Sequence, residues 1–164
     1  MSRAFTRESD LPVALPERPL SPHPNYVTAR GLAQLRQQFA AAESERTRLQ
    51  LASERAADAA ALAAVERDLR WLQARLATAI AVDATAQPRD RVAFGAAVRA
   101  EDDAGGTHCY AIVGEDEADA EHGRVSWRSP LARALLGARP GDEVVWRRPA
   151  GDLTLTVRTI DYPA

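Results

Sequence analysis

The stretch LAAVERDLRWLQARLATA, residues 62–79, decides how the first half of the chain folds. Leu62, Val65, Leu69, Leu72, Leu76 and Ala79 recur at 3-4-3-4-3 spacing, the seam of a helix lying against another helix. An upstream run supplies the partner. Leu32, Leu35, Phe39 and Ala42 keep the same rhythm, and Leu49 returns to the stripe after Arg46 takes one seam position. The stem of that arginine can cover apolar surface while its head stays in water. Thr28 is the expected N-cap of a helix starting near Ala29. Two such runs with a short connection predict an antiparallel helical hairpin over residues 26–82. Arms of about 25 residues would reach roughly 37 Å. Leucines at this spacing need no ligand; the hairpin's own seam accounts for them.

The flanks read differently. Five of the ten prolines fall in residues 1–25, which predicts an extended leader able to wrap onto the body. AVDATAQPRD (81–90) breaks the helical pattern, and residues 83–90 read as a linker. Beyond it the chain turns β-rich. Strands are expected at Arg91–Ala100, His108–Gly114, Gly123–Trp127, Glu143–Arg147 and Leu153–Ile160, with Gly-, Pro- or Asp-bearing turns between them. SPLARALLGA (129–138) interrupts them as a short helix: Ser129 caps, Pro130 takes the first position and Gly137 terminates. The expected fold is therefore α+β, a helical hairpin followed by a small antiparallel sheet domain (91–164) with one short helix.

Composition limits the function. The hydrophobic share is 46% and the charged share 27%, as in a folded domain, and the net charge of −2 gives no bulk field for bare nucleic acid. Every basic side chain except histidine is arginine. No apolar run approaches a membrane span and the first residues lack a signal-peptide core. Cys109 is the lone cysteine; it excludes a disulfide framework within one chain, fits a reducing cytoplasm, and in a strand-like run is expected to be a buried structural thiol. His23, His108 and His122 have no metal-ligand spacing, and the acidic turn Glu115–Asp119 lacks a calcium-loop pattern and reads as a solvated loop. No nucleophile–base pair or phosphate-cradling glycine loop appears, so an enzyme is not expected.

Longer motifs carry a resemblance. NYVTARGLAQLR (25–36) looks like the entry to the coiled coil of the GreA/GreB transcript-cleavage factors. VAFGAAVRAEDDAGGTHCYAIVGEDEAD (92–119), GRVSWRSPLARALLGARPGDEVVWRRPAGD (123–152) and LTVRTIDY (155–162) resemble their C-terminal domain, GreB most nearly. The resemblance implies a coiled coil followed by a domain with the shape of an FKBP, without prolyl-isomerase activity. It implies RNA polymerase as partner: the C-terminal domain docks at the rim of the secondary channel and the coiled coil enters. Nucleic acid would be met only indirectly, through the elongation complex. Acidic tip residues of the family help hold a catalytic Mg²⁺ in the polymerase; the factor itself carries no cofactor.

Residue by residue, the tip departs from the family. In LASERAADA (51–59), Ser53, Glu54 and Ala56 match, but Leu51 stands for the leading Asp, Arg55 for Asn and Ala57 for the second acid. Glu54 and Asp58 are the remaining acidic candidates. Aligned instead on VERDLRWLQARL, each arm is shorter by about one heptad, roughly 10 Å. Both alignments predict a finger that does not stimulate cleavage efficiently. The docking segment corresponds to Arg128, Ser129, Pro130, Leu131 and Arg133, with Arg128 where the family carries Asp or Asn. The same residues can be purely structural, as a helix cap over a core. A second reading is a binding module for another protein, such as nucleoside diphosphate kinase, with the hairpin as a spacer.

Overall fold

The computed structural model describes residues 14–52 and 56–163. Two helices of 23 residues each, α1 (Ala29–Leu51) and α2 (Ala56–Thr78), form the expected hairpin, each about 34 Å long. Thr28 begins it as expected: its hydroxyl accepts from the Gly31 N–H at 3.0 Å. The heptad reading locates the seam correctly. Leu35, Leu49, Leu69 and Leu72 are buried, with Leu32, Phe39, Ala42 and Leu76 packed partly beside them.

The base of the hairpin holds an element that periodicity does not show. Strand β1 (Asn25–Val27) runs parallel to β2 (Ala79–Ala81), pairing Asn25 with Ala79 and Val27 with Ala81. The segment expected to end the leader is thus hydrogen-bonded to the exit of α2. Upstream, the described leader lies along α2. Arg70 grips the Glu17 carboxylate at 2.5 Å, the Arg18 guanidinium stacks 3.8 Å over the Trp71 ring, and the Trp71 indole N–H donates to the Pro19 carbonyl at 3.1 Å.

The second half is a five-stranded sheet: β3 (Ala97–Asp102), β4 (Thr107–Val113), β5 (Arg124–Ser126), β6 (Glu143–Trp146) and β7 (Leu153–Asp161), in the order β5-β4-β3-β7-β6. Three pairings are antiparallel, but the edge strand β5 runs parallel to β4, so the sheet is mixed. The first strand starts at Ala97 instead of Arg91. Residues 92–96 bond elsewhere: the Val92 N–H donates to the Ala138 carbonyl, and a turn at Gly95 (φ +86) redirects the chain. Helix α3 (Pro130–Leu135) covers the inner face. Leu131, Ala132 and Leu135 interlock there with Val98, Ile112, Leu155 and Val157, and Tyr162 closes the core by donating to the Arg91 carbonyl at 2.7 Å. Among the described residues, no helix is long and apolar enough to cross a membrane.

Candidate functional site

The expected docking segment forms the start of α3. Ser129 Oγ accepts from the Ala132 N–H at 3.2 Å and Pro130 holds the first helical position, so this serine is committed to its own helix. Leu131 is 3% exposed and belongs to the core. What the segment shows to solvent is Arg128, Pro130 and Arg133. Arg128 pairs with Glu115 at 3.1 Å, its side chain 40% exposed and that of Glu115 21%.

Glu115 opens a one-turn 3₁₀ helix, Glu115–Glu117, and here the structure corrects the reading of a solvated acidic loop. Each acid holds a different element. Glu115 takes Arg128 at the start of α3. Asp116 accepts from Arg75 Nε at 2.6 Å, near the end of α2. Glu117, 7% exposed, accepts from the Thr28 and Gly114 N–H groups at 3.1 and 3.2 Å and from the Thr28 hydroxyl, fixing the start of α1. Arg75 is 3% exposed and also donates to Asn25 Oδ1 at 2.6 Å, tying β1 to the same joint. Tyr26 completes it, with Trp127 edge-on at 5.2 Å and Phe94 at 5.9 Å. The turn therefore joins both arms of the finger to the sheet domain and to the α3 face. Burial raises the Glu115 carboxyl's pKa, but Ser21, Arg128 and Arg75 together outweigh it and hold the group below the usual carboxylate range.

At the far end of the hairpin, Leu51 closes α1 and is 85% exposed. Glu54 lies outside the described residues. Asp58 lies in the first turn of α2, within Coulombic range of Arg48, which itself pairs with Glu45 at 2.6 Å. The described tip thus offers one carboxylate with a cation beside it, and alanines elsewhere.

The remaining candidates separate. Cys109 is exposed on the outer face of β4, contrary to the expected buried thiol, because it alternates with the inward-facing Tyr110 and Ile112. His108 bonds Asp102 at 2.7 Å and His122 bonds Asp119 at 2.7 Å, each a local turn contact. No cluster of three metal-ligating side chains occurs among the described residues. A cleft of about 480 Å³ opens between the start of α1, the linker and the outer sheet face, walled by Val82, Phe94, Ala111 and Val113. Its acids are committed, Glu117 to Thr28 and Asp83 to the Thr85 N–H at 2.8 Å, and the His122 that also lines it is paired with Asp119 at 2.7 Å.

Residues 87–162 match the family described as "Transcription elongation factor, GreA/GreB, C-term". The GreB of Neisseria meningitidis serogroup B is 40% identical over 99 residues, 60% of this chain and 61% of that protein. The GreA of Pseudomonas aeruginosa is 44% identical over 91 residues, 54% of this chain and 58% of that one. The chain thus matches about three fifths of the length of these relatives. The crystal structure of the GreA factor homolog 1 protein of Thermus thermophilus aligns over 84% of this chain and 99% of that one, at 26% identity and a TM-score of 0.41. Residues 87–162 thus match the C-terminal domain of the GreA/GreB family, and the Ser129-Pro130 helix cap and the Glu115–Glu117 joint both lie within that match.

Proposed function

We propose that this protein binds bacterial RNA polymerase at the secondary channel and modulates elongation as an occupant, without efficient stimulation of transcript cleavage. One observation carries the reading: a family C-terminal domain is welded through the Glu115–Glu117 joint to a finger of about 34 Å whose described end shows Leu51, alanines and the single carboxylate of Asp58. The α3 face, Arg128 to Leu136, supplies the contact with polymerase. The finger enters the channel from there and excludes other occupants. Mg²⁺ is a hard cation held by oxygen ligands at about 2.1 Å, and a leucine side chain offers none. Among the described residues no group of metal-ligating side chains occurs, and on this reading any hydrolysis is the polymerase's own chemistry.

Titration of purified bacterial RNA polymerase with the labelled protein tests the partner. Saturable binding that Pro130→Ala together with Arg128→Asp changes by at least tenfold is the expected result. Absence of binding, with nucleoside diphosphate kinase recovered from the native lysate instead, would move the protein to the class of modules serving another partner.

A further inference from the structure

The Arg128–Glu115 pair differs from its two neighbours in the joint. The Asp116 and Glu117 contacts hold groups that are nearly sequestered, Arg75 at 3% exposure and Glu117 itself at 7%. Arg128 is 40% exposed and is tethered by a single bond, Nη1 to Glu115 Oε1 at 3.1 Å. The other oxygen of that carboxylate, Oε2, is buried and takes no second bond from Arg128, while Ser21 beside the carboxylate also favours its charged form. A guanidinium can take a carboxylate through two parallel bonds, so this pairing uses half of what the fork offers. One turn further on, Arg133 is exposed and pairs with no acid among the described residues. Pro130 lies between them, exposed and free of side-chain polarity. The α3 face thus presents two arginines flanking an apolar step. One is partly neutralised from within, and the other is uncommitted.

We propose that the α3 face takes an acidic segment of its protein partner at Arg128 and Arg133, and that Glu115 is an internal placeholder carboxylate the segment displaces. The inference rests on the α3 face being the docking surface and names the chemistry of what docks. Displacement exchanges a single hydrogen bond for a bidentate one at Arg128 and adds a carboxylate at Arg133. The released Glu115 keeps a cation nearby in Arg75, which already lowers the energy of its charged form. The placeholder therefore competes for Arg128 without leaving an unpaired charge when it loses. It also raises the threshold for weakly acidic partners, because apparent affinity falls with the fraction of Arg128 that is free.

The test uses the full chain with Glu115→Gln, Arg128→Glu and Arg133→Gln. Thermal melting first confirms that all three fold. The first probe is a short fluorescent peptide of alternating Glu and Leu, read by anisotropy at low and high salt; the second is bacterial RNA polymerase core enzyme. Glu115→Gln frees Arg128 and tightens peptide binding about three- to fivefold over the parent protein. Arg128→Glu weakens it at least tenfold, and Arg133→Gln weakens it several-fold. If Glu115→Gln binds no tighter than the parent, or Arg128→Glu binds equally well, the placeholder is refuted. If the order holds for the peptide and polymerase does not bind, the inference stands and the polymerase reading falls. If polymerase binds with an affinity all three substitutions leave unchanged, the α3 face takes no acidic segment there, and the inference falls while the polymerase reading survives.

Discussion

Arg75→Met should loosen the finger from the sheet domain, at a cost set by what Arg75 holds. Its guanidinium donates to Asp116 at 2.6 Å and to Asn25 at 2.6 Å, and the Asn25 amide returns a bond to the Arg75 carbonyl at 2.8 Å. Methionine approximates the length of the stem and removes the charged head, including the guanidinium carbon 5.9 Å from the Trp71 ring centre. Removing one member of a buried pair typically costs about 3–5 kcal/mol, because the other is left charged and dry. Asp116 is 22% exposed and regains some water, which brings the expectation down to about 2–4 kcal/mol. For a chain of 164 residues this lowers the melting temperature by about 5–15 °C. Urea unfolding followed by circular dichroism gives the free energy, and Asp116→Asn with the double variant closes a cycle expected to show about 1–3 kcal/mol of coupling. Amides of Asn25–Val27 and Ala79–Ala81 should lose exchange protection before those of the sheet, because β1 and β2 are pinned by the same arginine. A melting temperature within about 1 °C of the parent would refute the assignment of Arg75 as the clamp between finger and base.

Other expectations follow from the same contacts. Gly31→Ala would drive a Cβ into Glu117 Cδ, a side chain that three hydrogen bonds keep from moving; a loss of about 1–3 kcal/mol in urea unfolding is expected. Leu69→Ala, at 6% exposure in the seam, should cost about 2–5 kcal/mol, and a change within error would mean the seam is misplaced. Tyr162→Phe removes the donor to Arg91 and the acceptor for the Ala93 N–H, and should cost about 1–3 kcal/mol by thermal melting. Asp102 has its pKa lowered from 3.8, chiefly by the His108 hydrogen bond and then by the Gly106 N–H. A depressed carboxylate stabilises the fold above its unfolded value and loses that contribution as pH falls through the folded one. Asp102→Asn should therefore flatten the acid limb of a melting-temperature profile below about pH 4, leaving an unchanged limb as the contrary result.

Local features of this fold are legible in the sequence. The seam of Leu35, Leu69 and Leu72, the Thr28 cap and the Ser129-Pro130 cap each depend on neighbours within a turn or two, so spacing alone reveals them. Cys109 was also within reach: it alternates with Tyr110 and Ile112, and period-two counting places it outside. What could not be read is what long separation decides. The acids of the Glu115–Glu117 turn find partners 13, 41 and 89 positions away, and nothing local distinguishes a committed carboxylate from a solvated one. The three-residue pairing of β1 with β2 is too short for a periodic signal and joins segments on opposite sides of the hairpin. The parallel edge strand β5 likewise depends on how the joint returns the chain, which strand propensity does not encode.

The measurement that bears most directly on the central claim uses backtracked elongation complexes with labelled RNA, titrated with this protein alone and in competition with an authentic cleavage factor. The account predicts no short RNA fragments from this protein alone and dose-dependent inhibition of the authentic factor, because on the proposed reading the finger occupies the channel with Leu51 where the family carries its leading tip Asp. Short fragments produced by this protein alone, and lost on Glu54→Ala or Asp58→Ala, would contradict it.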